Sequence, residues 1–265
     1  MKEQSLIIER QGAVISVVLN EPKTRNALSP EIFEGLSSVL KVAADDASIA
    51  AVVLSGAGGF FSAGGDLNQL ARNRTLASEV RMTRIEKLND MIAALQAAPV
   101  PVIAAVEGGA AGAGMSLALA CDIVVASRSA KFTAAYVKAG LTPDAGLTAS
   151  LAAIVPRPVL FEICALGAPL SAERMQALGA LSQVVDDGHS LAAALAIGQR
   201  FAKAPRRALG RIKRLTHAAY LNSMADQMAL EAHLMVESQG DAEAAEGIVA
   251  FLEKRSPAFE NLRTG

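Results

Sequence analysis

Val100-Pro-Val-Ile-Ala-Ala-Val106-Glu-Gly-Gly-Ala-Ala-Gly-Ala-Gly-Met-Ser116-Leu-Ala-Leu-Ala-Cys121 is the stretch on which the fold turns. Its apolar length is close to what a bilayer requires. Against a span stand Pro101, Ser116, four glycines and Glu107, whose insertion alone costs on the order of 3 kcal/mol. The better reading is a buried strand over Val100–Val106, then a glycine-rich loop that opens a helix. Outward from it, Val14–Leu19, Ala51–Leu54 and Ile123–Ala126 are further short runs rich in Val, Ile and Leu. Between them lie helical periods. Ile32, Phe33, Leu36, Leu40 and Ala43 share one face, with Ser29 as N-cap and Pro30 at the first helical position. Ile85, Leu88, Ile92 and Leu95 recur at spacings of three and four. Strands alternating with helices predict an α/β fold with parallel pairing, its strands buried on both faces.

The composition agrees. The chain has 265 residues, 52% hydrophobic and 19% charged, with a net charge of −1. That excludes disorder, and the near-neutral balance argues against a phosphate-backbone binder. Two cysteines and no Cys/His cluster argue against a disulfide scaffold or a metal site. Met1–Arg10 lacks the apolar run of a signal peptide, so the expectation is cytoplasmic. From Leu191 to Arg255 the pattern is helical, and Met224, Met228, Leu230, Leu234 and Met235 give it an apolar surface. That surface packs either within the chain or against another subunit, and two regions are expected: a core over 1–190 and a helical region over 191–265.

A second glycine-rich loop, Ser55-Gly-Ala-Gly-Gly-Phe-Phe-Ser-Ala-Gly-Gly-Asp66-Leu67, follows Ala51–Leu54. Glycine at this density brings backbone N–H groups close to a ligand. Two such loops on neighbouring strands could aim one N–H each at a single oxygen, as an oxyanion hole does. Taken alone, each loop is equally explained by tight strand–helix packing. Gly112-Ala-Gly114 lacks the third glycine of a dinucleotide fingerprint, and no Gly-Lys-Ser/Thr forms a P-loop. Gly114-Met-Ser116-Leu-Ala118 has the look of a nucleophile elbow, with Asp186 or Asp187 and His217 or His233 in hydrolase order. It lacks the sharp strand-to-helix turn, and His189, His217 and His233 read as surface or packing residues.

Phe61-Ser-Ala-Gly-Gly-Asp-Leu67 and Pro101–Ile123 together resemble the crotonase superfamily, the enoyl-CoA hydratase/isomerase family. The resemblance continues through Pro22–Leu28, Gly140–Gly146 and Phe251–Phe259, and so covers nearly the whole chain. It implies a spiral of ββα units with a C-terminal helical trimerisation region, assembled as a homotrimer or hexamer. It implies an acyl-CoA thioester substrate, with coenzyme A entering as part of that substrate and no separate cofactor. The N–H groups of Ala63 and Ala113 become the expected donors to the thioester oxygen. Arg25 and Ala27 fall where CoA is contacted, and Lys254 where a C-terminal lysine reaches its phosphates. Gly64, Asp66 and Leu67 border the thioester, although Asp66 also reads as the cap of the helix its loop opens. The segment 68–80 borders the acyl group.

The resemblance also locates a departure. Hydratases of this family carry two glutamates, and the matching positions here are Ser116 and Tyr136. Neither replaces a carboxylate at ordinary pKa. The remaining acid is Asp144, in Pro143-Asp-Ala-Gly146, a pattern similar to the isomerase branch of phenylacetate catabolism. Its alternative is a turn or helix cap. The leading expectation is an isomerase with Asp144 as acid and base. Hydration, or hydrolytic opening of an oxepin-CoA, is the second. A CoA-ester-binding protein without chemistry is the third.

Overall fold

The computed structural model describes residues 4–263. Residues 1–3 and 264–265, the outer limits of the two expected regions and the start of the Met1–Arg10 segment, lie outside the described residues. The main sheet has six strands in the order β1 (Leu6–Gln11), β2 (Val14–Leu19), β3 (Ala51–Gly56), β4 (Val102–Val106), β6 (Ile123–Ser127) and β9 (Gln183–Val185). Only the β1–β2 hairpin is antiparallel. A second sheet joins β5 (Gly109–Ala111), β7 (Lys131–Thr133) and β8 (Leu170–Ser171).

The spiral is visible in how the chain leaves each strand. After β2 it bridges at Leu28 and enters α1 (Pro30–Asp45). After β3 it bridges at Ser62, alongside Ala110, and enters α2 (Leu67–Asn73) and α3 (Ser78–Ala97). After β4 come β5 and α4 (Ala113–Ala120). After β6 come β7, a 3-10 turn at Ala135–Ala139, α5 (Leu147–Ala152) and α6 (Arg157–Leu166), and β8 then leads into α7 (Ala172–Ala177). Each turn therefore places a strand in the large sheet, a short bridge or strand in the small one, and a helix. The apolar stretch Val100–Cys121 is divided among β4, β5 and α4, and no described helix is long and apolar enough to cross a membrane.

Ser29 caps α1 by accepting from the Ile32 N–H, and Ile32, Leu36, Val39, Leu40 and Ala43 are its buried face. In α3 the buried face is Leu88, Met91, Ile92 and Leu95, while Ile85 is exposed. The strands need apolar residues on both sides. Val52 and Leu54 face the core under α1, α3 and α4, whereas Ala51 and Val53 face α8 (Ser190–Phe201) through Ala194. Thus α8, which opens the helical 191–265 region, lies against the sheet. Beyond it α9 (Arg206–Ala218), α10 (Met224–Gln239) and α11 (Ala242–Leu252) complete the tail. Leu234 is buried, but Met224, Met228 and Met235 are exposed.

Candidate active site

The two glycine-rich loops meet. The Ala111 N–H donates to Ser62 O at 2.9 Å, and the Phe61 N–H to Glu107 O at 3.0 Å and Gly109 O at 3.1 Å. Two glycines permit this approach. A Cβ on Gly64, which has φ +83°, would lie 2.5 Å from Ala111 O and 2.7 Å from Ala113 N. A Cβ on Gly114 would collide with Ser62 O. A latch holds the first loop. Asn26, fully buried, accepts from the Glu21 N–H at 2.9 Å and donates to Ala57 O at 2.9 Å and Phe60 O at 2.6 Å. Ser62 Oγ donates to Asn26 O at 2.8 Å and accepts from the Gly64 N–H at 3.1 Å.

These bonds change one expected donor. The Ala63 N–H already donates to Arg25 O at 2.8 Å, so it has nothing left for a ligand. The Gly65 and Ala113 N–H groups are among the loop donors that no described residue claims. Ala113 is the first residue of α4, where an N–H lacks an intrahelical partner and the helix dipole is positive. Its N–H lies where the loops touch, 2.7 Å from where a Cβ on Gly64 would stand.

Asp144 lies next to this pair of loops in the bonding pattern. Ser116, in α4 one turn beyond Ala113, is fully buried and donates to the Asp144 carbonyl at 3.1 Å. The Tyr136 hydroxyl donates to Asp144 Oδ1 at 2.8 Å and sits 3.0 Å from Ser116 Oγ. Burial pushes the Asp144 carboxyl above the usual carboxylate range, and the Tyr136 hydroxyl works against that rise. Burial and the neighbouring Asp144 charge push the Tyr136 phenol far above its ordinary value. The turn is there, its Asp144 carbonyl accepting from the Leu147 N–H, but the side chain caps nothing, because Gly146 is the N-cap of α5. Ala145, next in the chain, has φ 51°, a left-handed conformation that costs an alanine about 1 kcal/mol.

The other expected residues are dispersed by role. Asp66 caps α2 by accepting from the Asn68 N–H at 2.8 Å, and Leu67 is exposed. Ala27 is buried, while Arg25 is exposed with its guanidinium 5.6 Å from the Phe60 ring centroid. Lys254 is exposed beyond α11 and makes no hydrogen bond or ion pair with the loops or Asp144 within the chain. The nucleophile-elbow arrangement is absent: Ser116 bonds to Tyr136 and Asp144, while His217 pairs with Asp122 and His233 with Glu237. Two structural residues escaped the motif reading. Asn26 is one: Lys23, Thr24 and Arg25 just before it are polar too, so nothing local singles it out. Glu107 is the other: it accepts from the Gly188 N–H and the Ser190 hydroxyl across 81 and 83 residues, a partnership no local pattern announces.

A sequence profile of the enoyl-CoA hydratase/isomerase family matches residues 9–262. The chain is 38% identical over 250 residues to the 1,2-epoxyphenylacetyl-CoA isomerase of Escherichia coli K12, covering 94% of this chain and 95% of that protein. It is 35% identical over 255 residues to the 2,3-dehydroadipyl-CoA hydratase of the same organism, covering 96% and 98%. Among solved structures, an enoyl-CoA hydratase from Polaromonas sp. JS666 superposes with a TM-score of 0.93 at 40% identity, covering 95% of this chain and 98% of that one. Paired glycine loops, a ββα spiral and near full-length similarity agree: this chain belongs to the enoyl-CoA hydratase/isomerase family of the crotonase superfamily.

Proposed function

We propose that the chain is an enoyl-CoA isomerase that moves a double bond through a thioester enolate, with Asp144 as its single acid and base. The observation that carries this reading is the Asp144 side chain, which accepts from the Tyr136 hydroxyl while Ser116, at the head of α4, donates to the Asp144 carbonyl, so that a carboxylate stands beside the two positions where hydratases carry glutamates. The thioester oxygen accepts from the Gly65 and Ala113 N–H groups, each worth about 3 kcal/mol in the transition state. Asp144 takes the proton from C2 of a 3-enoyl thioester, and the electron pair spreads over the conjugated system onto that oxygen. The protonated Asp144 returns the proton at C4, leaving the double bond between C2 and C3. Proton removal and return share one group, so a second carboxylate is unnecessary. A carboxyl raised by burial suits such work, because it surrenders a proton as readily as it takes one.

Coenzyme A enters with the substrate, and Arg25 and Ala27 are positioned to contact it. The exposed Met224, Met228 and Met235 on α10 support a homotrimer or hexamer. The test is Asp144→Asn with a 3-enoyl-CoA: kcat falls at least a thousandfold, and an unchanged kcat overturns the reading. The similarity to a 2,3-dehydroadipyl-CoA hydratase favours hydration as a second reading. Turnover of crotonyl-CoA to the 3-hydroxy thioester, faster than isomerisation of the 3-enoyl thioester, would replace the first reading with that one.

A further inference from the structure

The hydroxyls of Ser116 and Tyr136 can be followed proton by proton. Tyr136 has one hydrogen, and it is committed to Asp144 Oδ1 at 2.8 Å. The Tyr136 oxygen can therefore only accept from Ser116, 3.0 Å away. Ser116 also has one hydrogen, with the Asp144 carbonyl at 3.1 Å and the Gly112 carbonyl at 3.5 Å as further acceptors. With Asp144 ionised, the Tyr136 hydrogen points at the carboxylate, and the Ser116 hydrogen is shared between the Tyr136 oxygen and the Asp144 carbonyl. Ser116 also sits on the same face of α4 as Ala113, three residues earlier, so the chain ties the oxyanion helix to the loop that carries the base.

We propose that Ser116 and Tyr136 are positioning residues that pin Oδ1 of Asp144, leaving Oδ2 as the oxygen that carries the proton in the double-bond shift. The role in the shift rests on the isomerase reading; the pinning itself does not. Among the described residues no side chain donates to Oδ2. A buried tyrosine must satisfy its hydroxyl somewhere. Here that bond is spent on the base, and it fixes the carboxylate plane near a strained backbone at Ala145. No other ionisable group competes for Asp144. Helices α4 and α5 carry none, Lys138 on the 135–139 turn is exposed, and so are Arg157 and Glu162 on α6.

The test follows the Asp144 carboxyl directly, by carbon-13 NMR of labelled aspartate side chains, assigned by difference against Asp144→Asn. Tyr136→Phe removes the bond to the ionised form and raises the Asp144 midpoint by about half to one pH unit. Ser116→Ala moves it in the same direction by less, because Tyr136 still donates. In isomerase assays, Tyr136→Phe lowers plateau kcat at least tenfold, moves the acidic limb to higher pH and leaves KM within twofold. Ser116→Ala keeps the measurement available should Tyr136→Phe fail to fold. An Asp144 midpoint unmoved in the folded variants, or a change in KM alone, overturns the proposal. Loss of the isomerase reading is separately visible, as unchanged kcat in Asp144→Asn, while the NMR midpoint still decides the pinning.

Discussion

Asn26→Ala is expected to unlatch the first glycine loop. The carboxamide satisfies three backbone groups inside the protein: the Glu21 N–H, the Ala57 carbonyl and the Phe60 carbonyl. Truncation leaves all three without a partner, and a buried polar group left unpaired costs about 1–3 kcal/mol. The low end applies, because the space vacated by a carboxamide is polar enough to admit water. That gives about 3 kcal/mol. Asn26 also has φ 55°, a left-handed conformation that costs alanine more than asparagine, which adds about 1 kcal/mol. The total, about 4 kcal/mol, is a large part of the 5–15 kcal/mol typical of a folded domain. Urea unfolding at fixed protein concentration reads the loss, since association shifts apparent stability. The isosteric Asn26→Asp separates bonding from volume, because its carboxylate would face the Ala57 and Phe60 carbonyls. Its folded-state pKa is then raised, so its stability deficit is largest above that pKa and shrinks as pH falls through it. A loss below about 1 kcal/mol for Asn26→Ala, with unchanged kcat/KM, would refute the latch.

Gly114→Ala forces a methyl group into the Ser62 carbonyl and drives the two loops apart; kcat falls at least a hundredfold, measured with a 3-enoyl-CoA, for a much smaller loss in thermal stability. Asp144→Asn should raise stability while it abolishes turnover. The folded pKa of Asp144 lies above its unfolded value, so its ionisation weakens the fold progressively as pH rises between the two. The midpoint of thermal unfolding at pH 7 is therefore higher for the variant than for the parent, and the gain disappears near pH 3.

The strands β2, β3, β4 and β6 and helix α1 were legible because their residues carry their own instructions. Short runs rich in Val and Ile recur along the chain, and Ser29-Pro30 opens α1 as N-cap and first helical residue. Strand β1 was not, since Leu6–Gln11 includes Glu9 and Arg10 on an exposed edge where polar residues cost nothing. β5 was hidden inside a glycine loop, because Gly109–Ala111 has no strand propensity and pairs only through its partner Lys131–Thr133. The same division runs through the site. Sequence alone determined that two glycine loops would present N–H groups, that one aspartate would stand where glutamates are replaced, and that Asp66 would cap a helix. Which N–H groups are taken was decided only in three dimensions, where Arg25 O claims Ala63 while Gly65 and Ala113 stay unclaimed among the described residues. Whether Ser116 and Tyr136 were mere losses was decided there too, because hydrogen bonds between residues 8, 20 and 28 positions apart depend on packing that no local pattern encodes.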